Sequence, residues 1–320
     1  MKKTTKIWVS VALALMLVGG IIFVLAMSAI GWDFTKLSTS KYETNRYALK
    51  ESFQSVSVDI DTADIRFVAS EDNTAFVVCY EQEKVKHTVL LQDGVLKIGV
   101  EDTRKWYEHI GINFGSPTVT VYMPQGNYGA LSIKSKTGDV EIAKDFQFES
   151  LDISENTGDV MNYASATGAM KIKTSTGNIF VENVSASSLE LSVSTGNVTV
   201  AGVSSAGDVN IRVSTGKTSA TNLTCKSFIS NGSTGDIILK NVIATERFSI
   251  ERSTGDVRFD GCDAAEIYVE TDTGDVSGNL LTEKVFFAET DTGDIDVPKT
   301  NAGGRCEIIT DTGDIRIQIQ

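Results

Sequence analysis

The string T-D-T-G-D occurs three times near the C-terminus, around Gly274, Gly293 and Gly313. Each copy sets two carboxylates about a glycine turn: Asp272 with Asp275, Asp291 with Asp294, and Asp311 with Asp314. Clustered oxygen ligands in a flexible turn are the chemistry of a Ca²⁺ site. They are equally the chemistry of a solvated acidic edge, because like charges one strand apart repel unless water or a cation separates them. The nonapeptide pattern of Ca²⁺-binding β-helices is absent from the chain,. The reading adopted is a solvated edge and no dedicated cofactor, with Ca²⁺ on these six aspartates as the alternative.

Other reactive residues are sparse. Two histidines, His87 and His109, leave little room for imidazole chemistry, and no G-x-S-x-G elbow accompanies the many serines. The four cysteines form no C-x-x-C pair,. Cys262 and Cys306 read as buried apolar positions, Cys79 as a strand residue and Cys225 as a loop residue. Trp106 and Tyr107 lie with His109 in a loop, as a contact surface or as packing. The net charge is −13, and residues 236–320 hold 18 Asp and Glu against 8 Lys and Arg. That balance excludes a nucleic-acid partner, which needs clustered cations.

The elements that position these residues begin with an anchor. Ile7 to Trp32 are 26 consecutive uncharged residues, roughly 39 Å as a helix and enough to cross a bilayer core. Lys2, Lys3 and Lys6 precede the run, so the short 1–6 segment is expected in the cytoplasm and the bulk of the chain outside,. A cleaved signal peptide is the competing reading, but its apolar region is usually shorter. Residues 33–50 are polar and aperiodic and read as a stalk. Residues 51–125 alternate apolar and polar residues in several runs and read as an antiparallel β-rich cap, with a hairpin turn at Asp93-Gly94 and a loop over 102–116,.

From about residue 126 a period takes over. Gly138, Gly158, Gly177, Gly196, Gly216, Gly235, Gly255, Gly274, Gly293 and Gly313 stand 19 or 20 residues apart, each after a threonine. Seven positions before each glycine the residue is apolar, and two after it is Val or Ile in all units but one, which has Thr218. Five before, Ser230 is the one polar departure. A unit this small cannot bury its apolar row alone, and stacking equivalent positions builds a continuous core. The expected fold is all-β: a right-handed parallel β-solenoid of about ten coils over 126–320, rather than a sandwich or propeller. Glycine suits a corner with positive φ or no room for Cβ. The threonine hydroxyls are expected to stack as a ladder.

Together the apolar N-terminus, "FQSVSVDIDTADIRFVAS", the "DGVLKI" hairpin, "VTVYMP" and the "LDISENTGDV" units resemble a bacterial β-strand-repeat family of uncharacterised cell-envelope proteins labelled "putative adhesins". The resemblance covers residues 50–320 and implies an envelope protein with a solenoid ectodomain, with no enzymatic role or catalytic residues to carry over. The expected function is a single-pass, membrane-anchored, extracytoplasmic binding or scaffold protein without catalysis. The alternative is a β-helix enzyme acting on glycan or cell-wall polymer. Expected partners are the membrane through residues 7–32, and a cell-wall polymer or protein along the solenoid face. Self-association through the C-terminal coil is also expected, where Ile315, Ile317 and Ile319 alternate with Arg316, Gln318 and Gln320,. The alternative there is that Asp314, Arg316 and the glutamines keep the edge soluble.

Overall fold

A computed structural model of the chain describes residues 3–33, 40–109 and 115–320. Lys2, residues 34–39 of the expected stalk and residues 110–114 of the expected loop lie outside the described residues. One helix, Lys3–Ala29, is long and apolar enough over Thr4–Ala29 to cross a membrane. Among the described residues the regular elements after it are strands, apart from a 3-10 turn at Trp106–His109.

The strands flanking each corner pair in parallel with their equivalents in the neighbouring coils. Leu131 faces Leu151, and the column continues through Met170, Leu189, Val209, Phe228 and Phe248. Every member of that column is at most 1% exposed. Burying one such side chain contributes about 1.5–3 kcal/mol, so the stack holds itself together column by column. These parallel ladders make the repeat a β-solenoid.

The corner glycines are required on two counts. Their φ values run from 125° to 155°, a region that side-chain-bearing residues rarely adopt,. A Cβ at any of the ten would also lie 1.9–2.3 Å from a carbonyl oxygen of the neighbouring coil's corner. The corner threonines sit at the surface and contribute their carbonyls, which accept the next glycine N–H, as Thr157 does from Gly138 at 3.0 Å. The hydroxyl ladder runs instead three residues before the glycine, where side chains point under the corner. Thr174, Thr271, Thr290 and Thr310 each donate to a glycine carbonyl of the adjacent coil at 3.0–3.4 Å.

At both ends, the order of coils in space departs from their order in the chain. The strand Ser55–Asp59 lies in parallel between Val95–Asp102 and Gly126–Thr137, and Asp64–Ala69 lies between Thr118–Met123 and Val140–Ile142. Residues 55–69 are therefore a coil of the solenoid, cornered at Ala63, and the strands Val95–Asp102 and Thr118–Met123 stack on it as the next layer. The cap is thus mixed and not purely antiparallel. Its antiparallel part is the hairpin Val85–Gln92 and Val95–Asp102, turning at Asp93-Gly94, together with Ala75–Gln82, which runs antiparallel to Thr118–Met123, meets Val85–Gln92 at Gln82 and Val85, and has Tyr42–Leu49 along its outer side. Tyr42–Leu49 falls in the expected stalk. Its half-buried face carries polar Asn45 and Tyr47, which hid the strand alternation.

The other end holds a sharper correction. Gly304–Thr312 pairs with Val257–Thr273 on one side and with Lys284–Thr292 on the other. The last coil in the chain is wedged between two earlier ones, and Ile315 and Ile317 are 0% and 2% exposed. It is not the open edge. The wedge enters through consecutive glycines: a Cβ at Gly303 would meet the Glu283 carbonyl at 1.8 Å, and one at Gly304 the Ala265 carbonyl at 1.7 Å. Cys225 is also corrected: it is buried within the strand Thr218–Thr234, because the chain there runs on as strand without a loop.

Candidate functional site

The residue after each corner glycine forms a row along one edge, and its chemistry explains the preference for Asp and Asn. A short side chain at this position accepts the backbone N–H of its counterpart in the next coil. Asp64 takes Asp139 N at 3.0 Å, Asp139 takes Asp159 N at 2.9 Å, and Asp159 takes Asn178 N at 2.8 Å. Asn178 and Asn197 continue the chain to Lys217 N. Lysine has no acceptor, and the ladder resumes at Asp236, which takes Asp256 N at 3.2 Å. It then runs Asp256, Asp275, Asp314, Asp294, in the spatial order of the coils and not the chain order. The Asp294 N–H, with Arg316 beside it, holds the Asp314 carboxyl below its ordinary range. A backbone dipole at each rung thus supports the negative charge that a cation was invoked to neutralise.

The structure brings the six candidate Ca²⁺ ligands together as two exposed rows in the last three coils, ordered Asp272, Asp311, Asp291 and Asp275, Asp314, Asp294. Each row follows the coil axis and does not converge on a point. Among the described residues, ligand atoms of three groups within 4.8 Å of one another occur elsewhere, at Cys79, Glu81 and His87 in the cap.

That cap cluster escaped the sequence reading. Cys79 and Glu81 share a face of the strand Ala75–Gln82, and His87 lies beyond the turn on Val85–Gln92. Buried Glu81 is filled by donors: Oε2 lies 2.6 Å from the His87 N–H and 2.8 Å from its Nδ1, and Oε1 takes Asn45 Nδ2 at 2.7 Å. Tyr47 OH stands 3.4 Å from Oε1. Burial, then the Glu81 charge, pushes the Cys79 thiol up to about 12, and the same two causes push Tyr47 up to about 12. A neutral thiol is a poor nucleophile and a poor metal ligand. A metal would have to displace donors already in place, so the cluster reads as a fastening for the hairpin. Trp106 and Tyr107 are exposed and meet edge to face at 5.9 Å.

The exceptions in the repeat find one another. Arg252, buried three residues before its corner, reaches across Gly232 to donate to the Val213 carbonyl at 2.8 Å and lies 3.4 Å from the Thr218 hydroxyl. A Cβ at Gly232 would sit 1.9 Å from its Nη1. Polar Thr218 and missing Cβ at 232 therefore accommodate one buried guanidinium, whose acidity burial increases.

The family described as Toastrack DUF4097 matches residues 53–217 and 204–320. No curated protein matches the chain. Similar solved structures include a "putative adhesin" of Parabacteroides distasonis, 13% identical, covering 76% of this chain and 98% of its own, with a TM-score of 0.47. A "putative lipid binding protein" of the same species is 16% identical, covering 77% and 98%, with a TM-score of 0.42. A "putative adhesin" of Bacteroides fragilis is 15% identical, covering 87% and 97%, with a TM-score of 0.35.

Proposed function

The chain belongs to the Toastrack DUF4097 family, and from that premise we propose a membrane-anchored, extracytoplasmic protein of the cell envelope that binds or scaffolds and does not catalyse. The observation that carries this reading is the acceptor ladder. It fixes a row of carboxylates on a rigid stack at strand spacing, about 4.8 Å per coil. Such a row suits a partner that is itself extended and cationic, an envelope polymer or a basic protein surface. The N-terminal helix serves as the anchor, with Lys6 and the lysines before it on the cytoplasmic side,. The aspartates act as charged, solvated groups and not as a metal centre.

Two measurements test this. Protease added to intact spheroplasts should degrade the ectodomain and spare the N-terminus; full protection would refute the orientation. The full chain in nanodiscs should be retained by purified cell-wall or membrane fractions at low salt and released as salt rises. Failure to bind any envelope fraction would refute the binding role.

A further inference from the structure

The spatially last coil is left uncovered. Its inward residues Phe286, Ala288 and Val297 are only partly buried, whereas the matching columns elsewhere are closed. Leu281, Phe287 and Ile295 are 43%, 49% and 46% exposed. Among the described residues, the strand Lys284–Thr292 pairs on one side alone, with Gly304–Thr312. Its only lysine, which could guard the free edge, is instead buried against Asp263 at 2.7 Å. An edge of this kind invites another strand.

We propose that this end joins a second copy of the chain about a twofold axis, with the two Lys284–Thr292 strands antiparallel and centred on Ala288. The register follows from parity and charge. Inward residues must oppose inward residues, so the numbers of opposed residues must sum to an even value. Centring on Phe286 sets Glu283 against Glu289, and centring on Phe287 sets Glu283 against Asp291. Centring on Glu289 opposes that residue to itself, and centring on Thr290 sets Glu289 against Asp291. Of the five registers that pair at least five residues of the strand, only the one centred on Ala288 avoids like charges directly opposed,. It places Phe287 against the partner copy's acidic position 289, and Val285 against position 291.

Charge complementarity favours a second copy as the occupant. Lys299 and Arg305 lie toward one end of the strand, beside Glu283 and with Arg305 bonded to Glu307 at 3.0 Å, while the three carboxylates Asp291, Asp294 and Asp296 lie toward the other. A twofold axis sets each acidic end beside the other copy's basic end. Arg305 already leans over Phe287, its guanidinium carbon 4.6 Å from the ring centroid and toward the free edge. The same contact covers the open core cross-section, so apolar burial and strand pairing act together.

Sedimentation velocity of the full chain in detergent, over a range of concentrations, should show a monomer–dimer equilibrium. Phe287→Glu puts like charges opposite each other twice per dimer and should weaken association about tenfold. Phe287→Lys instead meets the acidic position 289 and should leave association within about threefold. Phe287 is half exposed, and unchanged melting of both variants would show the fold intact. A wild-type chain that stays monomeric overturns the proposal. So does a dimer indifferent to both substitutions, which would place association in the helix. Capture of an unrelated extended peptide at this edge, abolished by Phe287→Glu, would overturn it in favour of that partner.

Discussion

The two ends of the solenoid solve one problem differently. Each inserts a coil out of chain order: residues 55–69 at the N-terminal end and residues 304–319 at the C-terminal end. Beyond that shared device they diverge. The N-terminal end is closed by strands that reverse direction, Ala75–Gln82 on Thr118–Met123 and Val85–Gln92 on Val95–Asp102, with Val77 and Cys79 sealing the core beneath. Its outer strand, Tyr42–Leu49, carries Glu43 and Arg46, and Lys86 of the hairpin bonds Glu43. Charged edges of this kind discourage further pairing. The C-terminal end offers a parallel strand, open backbone and exposed Phe287. A repeat can therefore stop only by breaking its own pattern, and here one end does so.

The largest expected effect sharpens that contrast by separating the end of the chain from the end of the stack. Ile317→Lys would bury an unpaired charge between the Val276–Leu280 strand and the outer coil, costing about 4 kcal/mol,. Phe287→Glu should cost less than about 1 kcal/mol in the monomer, because the site is half exposed,. Urea unfolding of both variants checks this. Equal and small losses would mean that the last coil in sequence is also the last in space.

Next come the corners. Gly235→Val and Gly255→Val should each cost about 3 kcal/mol, since a Cβ meets a backbone oxygen at 2.1 Å and 2.3 Å and φ is positive,. Ala63 occupies the same position in the inserted N-terminal coil, yet its φ is not positive. Ala63→Gly should therefore lose only about 0.5–1 kcal/mol, through chain entropy. If glycine at 63 stabilised the fold, the corners of the two regions would be equivalent after all. Melting temperatures decide the matter.

These differences mark what sequence could and could not show. Stacking forces each inward position to repeat, so the columns through Leu131, Val140 and their counterparts were legible, and with them the solenoid. The coil at Ala63 carries the same D-T-A-D-I frame but lacks the glycine used for alignment. Alanine is tolerated there because its φ is not positive,. Coil order was illegible for a different reason: every slot in the stack presents the same register, so spacing carries no memory of position. Gly303-Gly304 was the one signal, two small residues where the chain squeezes between neighbours. The acceptor ladder was half visible, as an Asp and Asn preference whose partner is a backbone group. The cap cluster was hidden because His87 and Glu81 lie on two successive strands that pair with different neighbours and meet only beside the turn.

A smaller effect concerns pH. The carboxyl of Asp314 is held below its ordinary value, chiefly by the Asp294 N–H. A depressed folded-state value means that the stabilisation is fully present above the ordinary carboxylate range near pH 4. It is lost as pH falls through the folded value. Asp314→Asn keeps an acceptor, as Asn178 and Asn197 do in the middle of the stack. It should leave the melting temperature at pH 7 nearly unchanged and flatten its fall below the ordinary carboxylate range,. A steep acid limb in the variant would show that the rung does not depend on the charge. Asp102, at a strand end in the N-terminal region, is lowered to about 2, chiefly by the Arg104 side chain, so its contribution should be lost only as pH falls to about 2,.

The smallest expected effect is that of Ca²⁺, and it bears on the same contrast, because the acid is concentrated at the open end. The rows Asp272, Asp311, Asp291 and Asp275, Asp314, Asp294 climb the axis one coil at a time, at about 4.8 Å per step,. Ca²⁺ needs roughly six to eight oxygens around one point, at about 2.3–2.6 Å. A line of carboxylates supplies one or two at each step. In the second row, Asp275 and Asp314 each already use one oxygen to accept a backbone N–H. What remains is diffuse attraction, which any divalent ion supplies and which salt screens. Ca²⁺ should therefore raise the melting temperature by a degree or so, and Mg²⁺ at equal ionic strength should do nearly the same. The alternative has a distinct signature: a ligand that binds only the folded state stabilises it in proportion to the logarithm of its concentration above Kd. A saturable Ca²⁺ response absent with Mg²⁺, lost in Asp291→Asn and Asp311→Asn but kept in Asp236→Asn, would establish a cation site at the open end.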